Sequence, residues 1–365
     1  MKPLRLLLVS HPPLRPEYGA AQLAIELAAA LCARGHDASA WSPEPLPPGG
    51  HWGGHYKAQR RAIERHLAAT GPFDAIDLPA LSVSRRVAAA SFVVARSIQP
   101  DLLYLAASLR SGFSRRPLSP NLAIEAVRAT RLAAAFRAGA HRADLVLCLG
   151  SVEREWMARR FPRLAPKLVS YVAALGSEDR SALAEVRAHR SIRNPESGIR
   201  YLWLGRWVAH KGPRLLLDWS AGLAANDRRD TLTIAGCGEI ALEDVARDLL
   251  AAGRLRIVER YGRAELPALL AAHDVGLFTS VAEGWGLSLH EMIESGMPIY
   301  ATPVGGAPDL AAFLPRTIRP FPPPERIAAP DLAIDDLAAS GYFEHFSWPR
   351  IAEDYERQLS ERLSR

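Results

Sequence analysis

The stretch VGLFTSVAEGWGLSLHE, residues 275–291, combines a short apolar run, a glycine-rich loop and the start of a helical pattern. Apolar residues fill Val275–Phe278, turn-forming residues follow over Thr279–Gly286, and helix-forming residues begin at Leu287. Gly296 is suited to end that helix. A buried strand that leads through a short loop into a helix is the repeating unit of a doubly wound α/β sheet.

The same alternation of strand and helix extends along the chain in both directions. Ten further apolar runs predict strands at Leu4–Ser10, Ala38–Trp41, Ala75–Leu78, Phe92–Ala95, Leu145–Leu149, Leu168–Val172, Tyr201–Leu204, Thr231–Ala235, Leu255–Val258 and Ile299–Ala301. Helical patterns lie between many of them, at Gln22–Arg34, Leu122–Ala140, Arg154–Arg160, Pro213–Leu223, Leu242–Ala252 and Glu265–Ala272. This order predicts parallel sheets with helices on both faces.

The length of 365 residues exceeds what one core usually supports and predicts two domains. The charged segment Ser177–Gly198 is the predicted linker. We therefore expect Rossmann-like domains at 1–180 and 195–345. Two further segments, Pro43–His55 and Pro315–Pro330, are rich in proline or glycine and predict a loop and an extended surface segment.

Composition narrows the expected partners. The net charge of +6 and the sequence pI of about 9.4 favour anionic partners. No zinc-finger spacing or RNA-binding signature accompanies the arginines, so nucleic acid is not expected. There is no run of 18 apolar residues, and MKPLRLLLVS is followed by Pro12–Pro13, so we expect neither a membrane span nor a signal peptide. Three scattered cysteines suit a cytoplasmic protein without disulfides.

The loop and helix of the opening stretch are suited to bind phosphate. A helix that starts at the carboxyl end of a strand points its first amides and its positive dipole end at the ligand side of the sheet. Gly284 and Gly286 would let a phosphate approach the backbone closely.

Glu283 and Glu291 lie on either side of that expected phosphate site. Carboxylates repel phosphate but accept hydrogen bonds from paired hydroxyls, as on a ribose or a hexose. The pattern thus suits a ligand with hydroxyls at both ends and anionic groups between them, a nucleotide-sugar. The alternative is an ordinary helix with one solvated glutamate and one near its start. His290 is interpreted as a packing or surface residue.

LGRWVAHKG, residues 204–212, follows another predicted strand and carries Arg206 and Lys211 in one short loop. Arginine offers a planar fork of donors to phosphate oxygens and lysine a point charge. Together they could neutralise a departing diphosphate as a metal ion would. The alternative is two solvated cations in a surface loop.

At this point the sequence resembles a family. EGWGLSLHE is similar to the E-x7-E segment, and GRWVAHKG to the G-R-x4-K-G segment, of retaining glycosyltransferases of family 4, which have the two-domain GT-B fold. Further segments match the usual landmarks of that family in order, at 232–239, 265–280, 296–310 and 346–359. The resemblance implies two Rossmann-like domains facing across a cleft, with a C-terminal helix, 346–365, that crosses back to the first domain.

The resemblance also implies roles for individual residues. Glu283 would hold the donor sugar at the catalytic centre, and Arg206 and Lys211 would bind the diphosphate. Glu291 would bind the donor ribose. The other residues implied to contact the donor are Gly19, Gly205, Tyr261, Gly284, Trp285, Gly286 and Leu287.

The first half departs from the family at one position. Many relatives carry a histidine that faces the donor sugar, and the corresponding position here falls on Ile98 or its immediate neighbours, none of which is histidine. Arg96 and Ser97 are the predicted acceptor-side residues in its place. His51 and His55 have a metal-ligand spacing, but Gly53–Gly54 is expected to interrupt the helix that would align them, so no metal site is expected.

These observations predict a retaining, metal-independent glycosyltransferase of polysaccharide biosynthesis without a cofactor. It would transfer a sugar from a UDP-, GDP- or ADP-linked donor to a hydroxyl of a glycan, lipid-linked or small-molecule acceptor. Its positive charge suits peripheral contact with the anionic inner face of a membrane. Two alternatives stay open: a nucleotide-sugar-binding protein without transfer, which the missing histidine favours, and an epimerase of the same fold.

Overall fold

The computed structural model describes residues 2–15, 18–43, 52–98, 100–107, 120–191, 194–225, 229–242 and 244–364. The chain divides into two compact units. The first domain comprises Met1–Ala173 together with Glu344–Arg365, and the second comprises Ala174–Phe343. The division thus falls just ahead of the predicted linker.

The first domain is built on a six-stranded parallel sheet with the strand order β2-β1-β3-β4-β5-β6. Its strands are β1 (Arg5–Val9), β2 (Asp37–Trp41), β3 (Ala75–Leu78), β4 (Phe92–Arg96), β5 (Leu145–Leu149) and β6 (Leu168–Tyr171). Its helices include α1 (Gly19–Ala33), α2 (Trp52–Thr70), α3 (Arg85–Ala90), α4 (Pro120–Arg142) and α5 (Gly150–Arg160). Near-continuous burial of β1, β3 and β5 explains their unbroken apolar runs.

The second domain repeats this plan with the strand order β12-β11-β10-β7-β8-β9. Its strands are β7 (Arg200–Leu204), β8 (Thr231–Ala235), β9 (Leu255–Val258), β10 (Val275–Phe278), β11 (Ile299–Ala301) and β12 (Ile318–Pro320). Its helices include α6 (Ser177–His189), α7 (Pro213–Ala225), α8 (Asp244–Ala251), α9 (Leu266–Ala271), α10 (Leu287–Glu294), α11 (Ala307–Phe313) and α12 (Tyr342–His345), the last of which spans the boundary. All eleven strands predicted from the sequence are present, each within one residue at either end, and β12 is additional.

β7 pairs with β8 on one side and with β10 on the other. The strand order therefore reverses between β7 and β10, and the loops that follow these two strands leave the same edge of the sheet side by side. In doubly wound sheets, ligands bind at such a switch point, beyond the carboxyl ends of the strands.

The C-terminal helix α13 (Trp348–Leu363) returns to the first domain, as predicted. It packs along α1, and Arg34 forms an ion pair with Glu356 at 2.5 Å. The buried hydroxyl of Tyr355 donates a hydrogen bond to Asp77 of β3 at 3.0 Å.

Two local predictions were wrong. Most of the predicted linker is helix α6, whose acidic first turn and basic last turn complement the helix dipole. Helix α2 starts at Trp52 and runs through Gly53–Gly54, so those glycines do not interrupt it; residues 44–51 lie outside the described part. The proline-rich segment Pro315–Pro330, predicted to be extended at the surface, is largely exposed and contains the extended edge strand β12, where proline is tolerated.

Within the described residues, no helix is both long and apolar enough to span a membrane. The same part of the chain contains no group of three or more metal-ligating side chains. His51 and the side chain of His55 lie outside the described residues.

Candidate functional site

Two loops of the second domain meet where β7 and β10 end. Val281 N–H donates to the carbonyl of His210 at 2.8 Å, and the hydroxyl of Thr279 donates to the carbonyl of Lys211 at 2.9 Å. Trp203 of β7 fixes the same Thr279 hydroxyl through its indole N–H at 2.9 Å. The two motifs that the sequence pointed to thus form one hydrogen-bonded site.

Gly212 permits this close approach. It has a left-handed φ of +66°, and a Cβ at this position would lie 1.9 Å from the carbonyl oxygen of Thr279. Any side chain would force the two loops apart. The spacing between the predicted cations and the predicted phosphate site therefore depends on a glycine here.

Lys211 and Glu283, which the resemblance assigned to diphosphate and sugar, are joined to each other. The Lys211 ammonium donates to Glu283 Oε2, and their side chains are only 17% and 9% exposed. Glu283 also accepts hydrogen bonds from the Ser280 hydroxyl and from Gly284 N–H, both at 3.1 Å. A carboxylate held by these donors is fixed in place at the carboxyl end of β10.

Arg206 differs from Lys211 in being exposed. Its guanidinium makes no hydrogen bond or ion pair with another described residue. The neighbouring Gly205 lies against the Trp203 ring, where a Cβ would be 3.3 Å from the indole. Arg206 is therefore the cation of this loop that is available to an anionic ligand.

The N-terminus of α10 directly follows the loop after β10. Gly286 precedes the helix with a left-handed φ of +86°, and a Cβ there would lie 3.3 Å from the Phe278 ring. The amides of Leu287 and Ser288 open the helix, where backbone donors have no partner within the helix. The buried Ser288 hydroxyl also has no hydrogen-bond partner among the described residues.

Trp285 occupies a different position from the predicted donor contact. Its side chain is 2% exposed, and its indole N–H donates to Nε2 of His290. Gly306 packs on the ring so closely that a Cβ would lie 2.7 Å from it. The indole therefore supports the loop from within and does not face a ligand. His290 is a fully buried packing residue, as interpreted from the sequence, and burial lowers its pKa to about 3.

Glu291 is 6% exposed and accepts a hydrogen bond from Nη1 of Arg263 at 2.8 Å. Burial raises the pKa of this carboxyl, and Arg263 acts against that shift. Arg263 also binds Asp179 through Nε at 2.8 Å. Neither Arg263 nor Asp179 was predicted from the sequence, because Asp179 lies on the segment interpreted as a linker and no spacing in the sequence pairs Arg263 with Glu291.

Tyr261, another predicted donor contact, lies near Glu291 and over the loop that follows β8. Its ring is 3.0 Å from where a Cβ on Gly236 would be. Burial, followed by the charge of Glu291, raises the pKa of its hydroxyl. The hydroxyl is therefore a neutral donor beside the carboxylate.

In the first domain, Gly19 begins α1, and Ile98 is half-buried just beyond β4. Arg96 is only 2% exposed, and its Nε donates to Asp77 at 2.8 Å. Its guanidinium is therefore not presented to an acceptor, contrary to the prediction from the sequence. Asp77 is held in turn by Tyr355.

Ser97 is also engaged within the first domain. Its hydroxyl donates to Glu153 at 2.8 Å, and its carbonyl accepts from the hydroxyl of Tyr171. Glu153 further accepts from Leu149 N–H at 2.7 Å and is buried, which raises its pKa to about 7. Ser97 is thus part of a buried hydrogen-bond network, contrary to the predicted acceptor-lining role.

Comparison with known proteins finds similarity to glycosyltransferases, and the similar region includes the site. The family of Glycosyl transferases group 1 matches residues 198–314, which include both loops, Arg263 and α10. The chain is similar to a D-inositol 3-phosphate glycosyltransferase of Salinispora tropica, with 32% identity over 136 residues, 34% of this chain and 28% of that protein. A relative of the same name from Corynebacterium aurimucosum is 26% identical over 204 residues, 49% of this chain and 47% of that protein. The matched region spans less than half of either curated relative.

Solved structures match over nearly the whole chain. Sucrose-phosphate synthase from Thermosynechococcus elongatus aligns with a TM-score of 0.60 and 16% identity, covering 99% of this chain and 95% of that one. Anabaena HepE in complex with UDP gives 0.57 and 16% identity, covering 98% and 100%. WaaG, a glycosyltransferase involved in lipopolysaccharide biosynthesis, gives 0.56 and 17% identity, covering 98% and 97%. The chain thus has the two-domain GT-B fold of glycosyltransferases, and its residues 198–314 match the family Glycosyl transferases group 1.

Proposed function

We propose that this protein is a glycosyltransferase that moves a sugar from a nucleoside diphosphate donor to an acceptor hydroxyl. One observation carries the proposal: the loops after β7 and β10 bring an exposed arginine, a lysine–glutamate pair and an open helix N-terminus to one point. Arg206, Lys211, Glu283 and the amides of α10 together offer cations and donors beside a fixed carboxylate. The anionic diphosphate of a nucleotide-sugar suits the cations and amide donors, and the hydroxyls of its sugar suit the carboxylate.

The diphosphate binds between Arg206 and the first amides of α10. Arg206 has no competing partner among the described residues, and the amides of Leu287 and Ser288 add the positive end of the helix dipole. The unpartnered Ser288 hydroxyl lies beside them and offers one further donor. Lys211, which is paired with Glu283, adds a positive charge near the diphosphate from the loop after β7.

Transfer proceeds with retention of the anomeric configuration. The bond between the anomeric carbon and the β-phosphate oxygen breaks, and a bond from the acceptor oxygen to the same face of that carbon forms. The acceptor proton passes to an oxygen of the departing phosphate. Arg206, Lys211 and the helix amides stabilise the negative charge that grows on this leaving group, and this requires no metal ion. Glu283 holds hydroxyls of the transferred sugar.

UDP- and ADP-linked sugars are candidate donors, since structural neighbours were solved with UDP, with UDP-glucose and with ADP. A GDP-linked sugar is a further candidate from the sequence analysis alone. An anionic or lipid-linked glycan, or a phosphorylated small molecule, suits the net charge of +6 as the acceptor. The curated relatives are named for transfer to D-inositol 3-phosphate, which makes that compound a first acceptor to assay.

The test is donor turnover in the wild-type protein and in Arg206→Ala. Since loss of one donor that stabilises a leaving group typically costs ~10²–10³ in rate, we expect kcat to fall by that factor. Arg214→Ala is the matched control, because Arg214 is 78% exposed on α7 and only 3.9 Å from Asp218. Equal turnover of wild type and Arg206→Ala would remove Arg206 from the mechanism.

A second candidate function, nucleotide-sugar binding without transfer, is favoured by the first domain. Ile98 stands where relatives carry histidine, and Arg96 and Ser97 are held in buried contacts. Calorimetry that detects donor binding, together with neither hydrolysis nor transfer over a panel of acceptors, would favour this candidate. An epimerase would instead convert the donor sugar without any acceptor.

A further inference from the structure

Arg263 connects two carboxylates that come from different helices. Nη1 donates to Oε1 of Glu291 on α10 at 2.8 Å, while Nε donates to Oδ1 of Asp179 on α6 at 2.8 Å and Nη2 to its other oxygen. Because the guanidinium is planar and rigid, the two-pronged contact with Asp179 fixes the direction of Nη1. The orientation of Glu291 is set in this way from α6.

One oxygen of Glu291 is left without a protein partner. Oε2 receives no hydrogen bond from a described residue, and the side chain retains 8% exposure. Arg263 therefore uses one lone pair of the carboxylate and leaves the second oxygen as an acceptor. The arrangement differs from a closed ion pair, in which both oxygens are occupied.

We propose that Arg263 is a positioning residue for donor binding, which holds the Glu291 carboxylate ionised and turned so that Oε2 accepts hydroxyls of the donor ribose. This inference rests on the proposed function, because it takes Glu291 as the ribose-binding residue. Arg263 acts through Glu291 and need not contact the sugar itself.

The charged and titratable groups that face Glu291 are Arg263, Asp179, Lys211 and Tyr261. Burial raises the pKa of Glu291, Asp179 raises it further, and Arg263 and Lys211 lower it. Lys211 is already paired with Glu283. Without Arg263, burial and Asp179 would act almost unopposed, so the carboxyl would bind a proton at higher pH and lose acceptor capacity.

A purely structural arginine would give a different result. If Arg263 only fastened α6 to α10, its removal would lower thermal stability and leave the pH dependence of donor binding unchanged. If it keeps Glu291 ionised, its removal makes binding weaken as pH falls. Below the raised pKa, affinity should drop by about tenfold per pH unit, because a proton competes with the ligand.

The experiment is calorimetry of UDP, GDP and ADP, each separately, from pH 5.5 to 8.5. Wild type is compared with Arg263→Gln, with Arg263→Lys and with Arg326→Gln. The last is a control with the same charge change in the same domain, since Arg326 is 77% exposed and 3.7 Å from Glu196. The 2′-deoxy form of the nucleotide that binds is measured beside it, since it lacks a ribose hydroxyl that Glu291 would accept from.

We expect Arg263→Gln to bind less tightly than wild type even at pH 8.5, because it lacks the fork, to weaken further as pH falls, and to discriminate less against the 2′-deoxy nucleotide. Arg263→Lys should restore the wild-type pH profile at reduced affinity, because it keeps the charge without the fork. Arg326→Gln should match wild type. If Arg263→Gln does not fold by circular dichroism, Arg263→Lys decides, and an unchanged affinity in it would overturn the inference.

The two proposals fail in different ways. Wild-type protein that binds none of the three nucleotides would remove the proposed function and this inference with it. Wild-type protein that binds, together with an Arg263→Gln variant of the same affinity, pH profile and 2′-deoxy discrimination, would overturn the inference alone.

Discussion

Glu283 and Glu291 are each held by a cation at the carboxyl edge of the second domain's sheet. Glu283 is bound by Lys211 and Glu291 by Arg263, while Arg206 stays exposed. A buried carboxylate without a partner would be strongly disfavoured, and each pair supplies a positive charge that offsets the cost of burying the acid. The site therefore offers fixed acceptors, with one cation left for an incoming anion.

At this scale the sequence predicted which residues carry charge but could not predict what holds them. The apolar runs that precede them placed Glu283, Arg206 and Lys211 on loops after two predicted strands, and the pairing of β7 with β10 brings those loops together. Arg96 was wrongly assigned, because a charged residue at the end of a strand looks accessible until its partner is known. That partner, Asp77, is 19 residues away and gives no sequence signal.

A residue-scale prediction concerns Glu153, whose carboxyl is buried in the first domain. Burial raises its pKa from 4.5 to about 7, although Leu149 N–H and the Ser97 hydroxyl oppose the shift. The folded protein therefore holds a proton that the unfolded chain releases between these values. Stability linked to this group is fully present below about pH 4.5 and is lost as pH rises through about 7.

At about 1.4 kcal/mol per pKa unit, the loss amounts to about 3 kcal/mol. Urea unfolding of wild type and Glu153→Gln from pH 4.5 to 8 measures it: the difference in unfolding free energy should move in favour of the glutamine variant as pH rises. Glu155→Gln is the control, because Glu155 is 56% exposed on the same helix. A difference that does not vary with pH would mean that Glu153 keeps an ordinary pKa.

Among the elements, α6 shows most clearly why a sequence pattern can mislead. Only Leu183 of this helix is buried, so its composition resembles a linker. Arginines on this helix and directly after it hold it in place: Arg180 pairs with Glu294 at 2.9 Å, and the guanidinium of Arg190, which follows the helix, donates to carbonyls of Leu270, His273 and Ser295. Such contacts at helix C-termini depend on tertiary structure. By contrast, β7 and β10 were predicted correctly from the sequence, because their buried residues form unbroken apolar runs.

An element-scale prediction concerns the attachment of α13 to the first domain. Tyr355→Phe removes the hydroxyl that donates to the buried Asp77 and leaves one carboxylate oxygen with one donor fewer. Loss of a hydrogen bond to a buried charged group should lower the unfolding free energy by about 1–3 kcal/mol. Urea unfolding measures this. Tyr18→Phe is the matched control, because Tyr18 is 45% exposed, and we expect a change within about 0.5 kcal/mol.

For the whole molecule, the two domains repeat one architecture but use it differently. Each has its own apolar core and a sheet whose strand order reverses once, at β1 and β3 in the first domain and at β7 and β10 in the second. Polar groups that end β4 in the first domain, Arg96 and Ser97, are tied to buried partners. In the second domain, the carboxyl edge of the sheet carries the exposed Arg206 and the N-terminus of α10, whose first amides have no partner within the helix. From this asymmetry we expect the donor to bind in the second domain.

Hydrogen exchange with and without a nucleoside diphosphate tests that placement. A ligand at 100 times its Kd stabilises the unit that it contacts by ~2.7 kcal/mol, so amides that exchange through opening of that unit should slow by up to about a hundredfold. We expect this protection in peptides that cover β7, β10 and α10, while β3 and β4 exchange as before. Arg206→Ala, at the same nucleotide concentration, should lose most of the protection. Equal slowing of exchange in β3 and β10 would contradict this expectation. It would mean that the nucleotide stabilises both domains alike, so that the loops after β7 and β10 do not supply the binding free energy by themselves.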